Sequence, residues 1–287
     1  MTDEVALLAR LLLPHPDQRV PTLLFAAVHD VLLAGDGHPL AAWYGSITDP
    51  ARPVGQGDDD PWPHFRWLAL EDDDVAERLR TRSTQTNEVG RCAALLPALA
   101  GVAASAPGAP PDGARPLGLV EIGASAGLNL LFDRYGYHYE PGGQEVNPSS
   151  PLTLRCTLRT AIALAHGDPA RVVTGDAVDD LAPLVQAVGD FALPVVVATW
   201  ILTYLPVDRQ RALMAELDRL GAERDLTMVF AEQPPLVPGL AVPPRPDGRP
   251  DGLATALVGL DWREGRRTAV RLADLHPHGT WLEWLAD

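Results

Sequence analysis

The stretch Leu119-Val-Glu-Ile-Gly-Ala-Ser-Ala-Gly-Leu-Asn-Leu130 decides the fold class. It predicts a short apolar strand, then a turn of small residues, then the start of a helix. Glu121, Gly123, Ser125 and Gly127 occupy alternate positions in it. In open α/β sheets, ligands bind beyond the carboxyl ends of the strands, where small residues let a ligand approach the backbone. The helix start adds free N–H groups, so the stretch indicates a ligand-binding turn.

Downstream of this turn, predicted strands alternate with helices. Strands are expected at 117–122, 171–174, 193–198 and 226–231, with an amphipathic helix at 207–220. This alternation is typical of an α/β fold with a mostly parallel sheet and helices on both faces. Residues 254–262 and 268–273 flank a Glu264-Gly265 turn and predict an antiparallel hairpin, followed by a last strand that ends at Trp284.

Upstream of the turn, apolar residues recur at helical spacing. Helices are expected at 5–13, from Pro21 onward, at 72–84 and at 86–100, with a loop rich in Pro and Asp at 48–63. A stretch rich in Gly, Pro and Ala at 101–116 predicts a linker. The sequence therefore predicts an all-helical N-terminal domain, residues 1–110, that covers a sheet domain, residues 111–287.

Composition excludes several classes of function. The 287-residue chain carries 23 basic residues, all of them Arg, against 38 acidic residues, for a net charge of −15. This balance disfavours nucleic acids and anionic membranes as partners. The absence of Lys excludes Schiff-base chemistry and a P-loop lysine. Cys92 and Cys156 form no CxxC pair, and the apolar stretch 5–14 is too short to span a membrane, so a cytoplasmic location is expected.

The turn resembles motif I of the class I S-adenosylmethionine-dependent methyltransferases, whose pattern is acid-x-Gly-x-Gly-x-Gly. Glu121, Gly123 and Gly127 match this pattern, and Ser125 replaces its middle glycine. The resemblance implies a Rossmann-like sheet and S-adenosylmethionine as the cofactor, held by Glu121 and by Gly123, Ala124, Ser125, Gly127 and Asn129. The G-x-G-x-x-G spacing of dinucleotide-binding proteins is absent. A tight strand–helix turn that binds no ligand is the other interpretation.

Further positions fall in the order that this resemblance implies. Glu140 lies 19 residues after Glu121, at the end of residues 135–140, whose alternating tyrosines are typical of a strand. If this segment is the second strand, Glu140 would bond the ribose hydroxyls; the alternative is an exposed loop acid. Asp176 would face the adenine amino group, with Ala177 contributing its backbone. Thr199 and Trp200 follow the fourth expected strand, where they would line the cofactor and the substrate; for Trp200, core packing is the alternative.

A second resemblance covers almost the whole chain. The stretches Thr84–Pro97, Val120–Leu130, Asp133–Tyr135 and His276–Trp284 resemble a bacterial family known as domain of unknown function 2332. This resemblance implies a helical N-terminal part joined to a methyltransferase-like part, and it implies no particular substrate. About 18 residues separate Cys156 from Gly175, fewer than the family pattern has there.

Polar residues are concentrated at the start of the fourth expected helix. We expect Arg91 to hold the cofactor carboxylate through both arms of its guanidinium. Gln85, Asn87 and Glu88 would hold the cofactor amino group or the substrate. An N-cap is the alternative, formed by Thr84 with Glu88 or by Thr86 with a nearby acid, although a cap accounts for only one or two of these side chains.

Three side chains are candidates for a catalytic base: Glu232, His278 and Tyr204. Methyl transfer needs a base only when the attacking nucleophile carries a proton, so the choice among them stays open. Tyr135 is a candidate for the substrate pocket, with core packing as the alternative. No third ligand accompanies His276 and His278, so no metal is expected.

The sequence therefore predicts an S-adenosylmethionine-dependent methyltransferase that acts on a small molecule. The alternative is a catalytically inactive protein of the same fold that binds a ligand or serves as a scaffold. Ser125 and the short segment before Gly175 favour this alternative. A nicotinamide-dependent enzyme is a weaker third possibility, because the glycine spacing and Glu121 disagree with it.

Overall fold

The computed structural model describes most of the chain. It covers residues 2–35, 37–83, 88–111, 113–150, 170–240, 242–252, 254–277 and 280–286. By its internal contacts the chain divides into two compact units, Met1–Thr86 and Asn87–Asp287. This division falls before the boundary that the sequence predicts between residues 110 and 111.

The described part of the first unit is helical. Its helices are α1 (Asp3–Leu11), α2 (Pro21–Ala34), α3 (Trp62–Glu71) and α4 (Asp73–Thr81). Pro21 begins α2, where its missing N–H is tolerated, and Gly35 ends α2 with a φ of 98°. Asp72 caps α4 by accepting a hydrogen bond from the Val75 amide at 2.9 Å. The apolar sides of α2, α3 and α4 form one core.

The sequence predicts three of these helices and misses α3. Helices expected at 5–13, from Pro21 and at 72–84 appear as α1, α2 and α4 with shifted ends. The segment Trp62–Glu71 mixes aromatic, polar and apolar residues without a regular apolar stripe. Periodicity therefore gives no signal for α3, and its burial against α2 and α4 supplies the stabilisation.

The second unit is built on a mixed sheet. The described strands are β1 (Leu117–Ile122), β2 (Tyr137–Tyr139), β3 (Gln144–Val146), β4 (Leu193–Thr199), β5 (Leu226–Glu232), β6 (Thr255–Arg263), β7 (Arg266–Leu275) and β8 (Leu282–Trp284). Six of them form one sheet in the order β1-β4-β5-β6-β7-β8. β1, β4 and β5 are parallel, and each later pairing is antiparallel. The α/β fold is as expected, and the predicted antiparallel hairpin and last strand are β6, β7 and β8.

Helices cover both faces of this sheet. α5 (Cys92–Ser105) packs on one face, where Leu95 and Leu99 join Val195 and Val229 in a core. α6 (Leu181–Gln186) and α7 (Val207–Glu223) pack on the other. The helix expected at 86–100 thus belongs to the sheet unit as α5, because the strands bury its apolar face. Among the described residues, no helix has the length and apolar character needed to cross a membrane.

Two segments that the sequence predicts to be strands of the main sheet are not part of it. β2 pairs antiparallel with β3 in a separate hairpin, and residues 171–174 form no strand. The helix expected after Gly127 is a 3-10 helix, Leu128–Arg134. Among the described strands, β1 is therefore an edge strand of the sheet.

Four strands end at one edge of the sheet. β1, β4 and β5 are parallel, so their carboxyl ends lie together. β6 begins beside the end of β5, where Ala256 pairs with Glu232, and Leu275 at the end of β7 pairs with Thr255. We call the ends of β1, β4, β5 and β7 the carboxyl edge.

Candidate functional site

The turn after β1 has a backbone conformation that favours glycine. Gly123, Ser125 and Gly127 have φ values of 71°, 51° and 71°. A residue with a Cβ loses about 1–2 kcal/mol in this left-handed region. Ser125 nevertheless adopts the conformation, and the Gly127 amide donates to the Ala124 carbonyl at 2.7 Å. The alternate positions that the sequence singles out are therefore the left-handed positions of the turn.

Side chains of the protein itself pack against the two glycines. A Cβ on Gly123 would lie 2.4 Å from Cγ1 of Ile201, and one on Gly127 would lie 3.0 Å from Cβ of Ala170. Real Cβ atoms do not approach other atoms as closely as 2.4 Å, so internal packing alone requires glycine at position 123. The glycine pattern is thus explained in part without a ligand.

Glu121, at the end of β1, has one satisfied and one unsatisfied oxygen. The Asn129 side-chain amide donates to Oε1 at 2.9 Å. Oε2 is buried and has no hydrogen-bond partner among the described residues. Burial raises the pKa of Glu121 to about 7, although the Asn129 hydrogen bond and the Arg91 charge both act to lower it. Glu121 therefore exchanges a proton near neutral pH.

Arg91 joins separate parts of the carboxyl edge. It is only 6% exposed. Its Nη1 donates to the Thr199 carbonyl at the end of β4 at 3.1 Å, and its Nε donates to the Pro277 carbonyl at 3.4 Å. Burial lowers its pKa, and the charges of Glu88, Glu232 and Glu121 oppose that shift.

The structure does not place Arg91 as a two-armed clamp for a carboxylate. Nε and Nη1 are committed to main-chain carbonyls, and within the described segments only Nη2 donates no hydrogen bond. Glu88 accepts a hydrogen bond from the Gly90 amide at 3.3 Å and is itself the N-cap of the 3-10 turn Val89–Arg91. The threonines expected as caps, Thr84 and Thr86, lie outside the described residues. Gln85, Asn87 and His278 lie outside the described residues.

Glu232, at the end of β5, holds the turn that follows β4. Its Oε1 accepts the amides of Ile201 at 2.8 Å and Leu202 at 2.7 Å. Its Oε2 is buried without a hydrogen-bond partner in the described part of the chain, and the side chain is 0% exposed. Burial raises the pKa of Glu232 to about 7, against the lowering effects of those amides and of Arg91.

Trp200 completes this turn in an unusual conformation. Its φ is 54°, a value that is an outlier for a bulky residue. Its buried indole Nε1 finds no acceptor among the described residues. Thr199, immediately before it, is buried, and its carbonyl accepts from Arg91. Backbone strain of this kind is found at functional sites, which supports a role for the turn after β4.

The two tyrosines singled out from the sequence differ in environment. Tyr204 is 74% exposed, yet it is close enough for its charge to act on the pKa of Arg91. Tyr135 is wholly buried, and its hydroxyl donates to the Leu128 carbonyl at 2.5 Å. The burial of Tyr135 agrees with the alternative of core packing and gives no support to a place in a substrate pocket.

The acids expected to hold ribose and adenine have other partners. Glu140 is exposed next to the β2–β3 hairpin and bonds His138 at 2.7 Å. Asp176 accepts the amides of Val178 at 2.8 Å and Asp179 at 3.0 Å and forms an ion pair with Arg209, interactions that lower its pKa. Ala177 packs against the core on the α7 side of the sheet. The expected roles of these residues are not supported, because β2 is outside the sheet and Asp176 is engaged locally.

A cavity of about 620 Å³ has walls that do not include the buried acids of the carboxyl edge. Its walls come from α5, from β1 and from the 3-10 helix after the turn, and include Leu99, Leu119 and Phe132. Glu121, Arg91 and Glu232 do not line it. We place the candidate site at the carboxyl edge because the perturbed carboxyls and the buried atoms without partners lie there.

The sequence misses two contributors to this edge. Ile201 packs at Gly123, and the Pro277 carbonyl binds Arg91. Ile201 carries no polar group and gives no signal. Pro277 lies in the His276–Trp284 stretch, whose distinctive composition is the signal that could have indicated it.

Comparison with known protein families finds one that matches most of the chain. Residues 5–161 and 155–284 match a family described as an uncharacterized protein conserved in bacteria, DUF2332. The chain belongs to the DUF2332 family. Neither the curated proteins nor the solved structures include a match to this DUF2332 protein.

Proposed function

We propose that this DUF2332 protein is an S-adenosylmethionine-dependent methyltransferase that acts on a small molecule at the carboxyl edge. The observation that carries the proposal is the meeting of Glu121, Arg91 and Glu232 beside a turn of left-handed residues. Their partners come from three distant parts of the chain, which include the end of β4 and Pro277. Ligands of open α/β sheets bind at this position.

The edge fits part of S-adenosylmethionine. Oε2 of Glu121 is a buried acceptor that a hydroxyl or ammonium group can satisfy. Nη2 of Arg91 is a donor suited to a carboxylate. When bound, this cofactor supplies a methyl group on positively charged sulfur. Glu140 and Asp176 do not contribute, so contacts to the ribose and the adenine would come from other residues.

The contribution of the protein to methyl transfer is mainly placement. Holding two reactants in line is worth about 7–11 kcal/mol in favourable cases. Glu232 presents a carboxyl oxygen that has no partner among the residues described, and this oxygen can accept a proton from a nucleophile. Tyr204 and His278 remain candidates for the same task.

A second candidate function is a binding or scaffold protein without catalysis. Two observations favour it: the engagement of Glu140 and Asp176 with other partners, and the packing of Ile201 against Gly123. Such a protein would keep the fold and the turn but not the affinity for the cofactor.

The two functions differ in a thermal-shift titration with S-adenosylmethionine, S-adenosylhomocysteine, NAD and NADP. A ligand at 100 times its dissociation constant stabilises by about 2.7 kcal/mol, or roughly 5–10 °C here. We expect the two adenosyl ligands alone to shift the melting temperature. No shift with either would contradict the methyltransferase proposal and favour the binding protein; a shift with NAD or NADP alone would contradict both.

Two variants make this titration specific. Glu121→Gln retains an acceptor for Asn129 and removes the charge, so we expect affinity for S-adenosylhomocysteine to fall at least tenfold. Glu140→Gln removes an exposed carboxylate of the hairpin and is the matched control. It is expected to bind normally, and a large loss in this variant would favour the placement read from the sequence.

A further inference from the structure

We infer that the carboxyl edge receives a positively charged group of its ligand against Glu121 and Glu232, and that this group replaces a proton there. The inference rests on the proposed function and specifies the charge of the ligand. It follows from two carboxyl oxygens of the edge that have no hydrogen-bond partner among the described residues.

The charges of the edge are unbalanced. Arg91 faces the three acids Glu88, Glu121 and Glu232, and also the phenol of Tyr204. Of these groups, only Arg91 is a cation. Cys92 and Tyr135 face Glu121, and burial raises the pKa of both, so they add no charge. The charge of Arg91 acts on Glu232 and lowers its pKa.

Two buried atoms point to what is missing. Oε2 of Glu232 and Oε2 of Glu121 have no hydrogen-bond partners among the described residues. Glu232 is wholly buried, and its Oε1 accepts the Ile201 and Leu202 amides. The Thr203 amide also acts to lower its pKa. A cation that donates hydrogen bonds or stands close to these oxygens supplies both the charge and the contact, whereas an anion would add repulsion.

Without the ligand, each of the two carboxyls carries a proton for part of the time. Burial raises the pKa of each carboxyl to about 7, so each is protonated for about half of the time at pH 7. A cation stabilises the ionised form and drives the proton into solution. Linkage then requires a cationic ligand to bind more tightly as pH rises, by about tenfold between pH 6 and pH 8 for each carboxyl that loses a proton.

The cation has three possible sources: the sulfonium of the cofactor, the α-ammonium of the cofactor and an ammonium of the substrate. The first arm of the test is calorimetry with S-adenosylmethionine and S-adenosylhomocysteine at pH 7, in phosphate and in imidazole buffer. The two ligands differ by a methyl group and one positive charge. We expect S-adenosylmethionine to release up to about one proton more, about half from each carboxyl.

The second arm adds butylammonium chloride to the protein saturated with S-adenosylhomocysteine, with butanol plus NaCl as the uncharged control at matched ionic strength. If butylammonium stabilises the protein and butanol does not, the subsite is assigned to the substrate. If S-adenosylmethionine releases more protons than S-adenosylhomocysteine, the subsite is assigned to the sulfonium of the cofactor. Equal release of protons by both ligands assigns the subsite to the α-ammonium that they share. The inference is overturned if neither ligand releases a proton from the protein and butylammonium has no effect.

Glu232→Gln tests the residue itself. Gln keeps an oxygen for the Ile201 and Leu202 amides and cannot ionise, so we expect the extra proton release, or the butylammonium effect, to fall by about half. Glu223→Gln, which removes an exposed carboxylate of α7, is the control and should change neither. If S-adenosylhomocysteine does not bind, the proposed function fails, and butylammonium added to the free protein still supports or overturns the cation subsite.

Discussion

Replacing Glu232 by Gln changes one buried charge while keeping the local hydrogen bonds. The Gln side chain has nearly the same shape, and its oxygen can accept the Ile201 and Leu202 amides as Oε1 does. The main difference is that Gln never ionises. Glu232→Gln therefore isolates the free energy that the protein loses by burying this carboxylate.

The magnitude follows from the pKa. Burial raises the pKa of Glu232 from 4.5 to about 7, and this difference corresponds to about 3 kcal/mol. The folded protein binds the proton more tightly than the unfolded chain does. The contribution of Glu232 to stability is therefore fully present below pH 4.5 and is lost as pH rises through about 7. The Gln variant lacks this dependence.

We expect Glu232→Gln to be more stable than the wild type by about 3 kcal/mol at pH 8, and to be close to it at pH 4.5. Urea unfolding at both pH values, followed by circular dichroism, measures the difference, with Glu223→Gln as the surface control. Glu121 titrates in both proteins, so its contribution cancels. A loss of stability that is larger at pH 8 than at pH 4.5 would refute the reasoning, because it would mean that Arg91 and the amides favour the ionised form.

Three further substitutions test other contacts. Arg91→Met removes the cation beside two buried carboxyls, and urea unfolding should show a loss of about 3–5 kcal/mol at pH 8 and a smaller loss at pH 6; equal losses would count against this account. Gly123→Ala combines a φ of 71° with a contact of 2.4 Å to Ile201, so thermal unfolding should show a loss of about 2–4 kcal/mol, and adding Ile201→Ala should recover the steric part. Asp274→Asn weakens a fully buried carboxylate that bridges two arginines, and we expect a loss of about 3–5 kcal/mol in urea unfolding; an unchanged midpoint would show that the bridge adds no stability.

Local patterns were sufficient to predict much of the sheet unit. The central strands β4 and β5 are runs of apolar residues, because parallel strands buried on both faces carry no polar alternation. The Glu264-Gly265 turn identifies the β6–β7 hairpin, since both residues adopt positive φ. These signals depend on residues close together in the chain.

The same local information misplaced other elements. The alternating tyrosines of residues 135–139 suggest a strand, and β2 is one, but it pairs with β3 instead of β1. Its partner depends on free energies of pairing that a single segment does not encode. Asp176 likewise follows an expected strand, yet Arg209 on α7 and two nearby amides engage it.

The candidate site was also predictable only in part from the sequence. Residue types and spacing were enough to single out Glu121, Arg91 and Glu232 and to predict a turn after β1. Their partners lie far away in the chain: Arg91 binds carbonyls 108 and 186 residues distant, and Glu232 accepts amides about 30 residues distant. Burial among such distant neighbours sets the pKa of each carboxyl and, within the part of the chain that the structure describes, leaves one oxygen of each without a partner. Those properties arise from the folded arrangement because desolvation and hydrogen bonding act between groups that are close in space, whatever their separation in sequence.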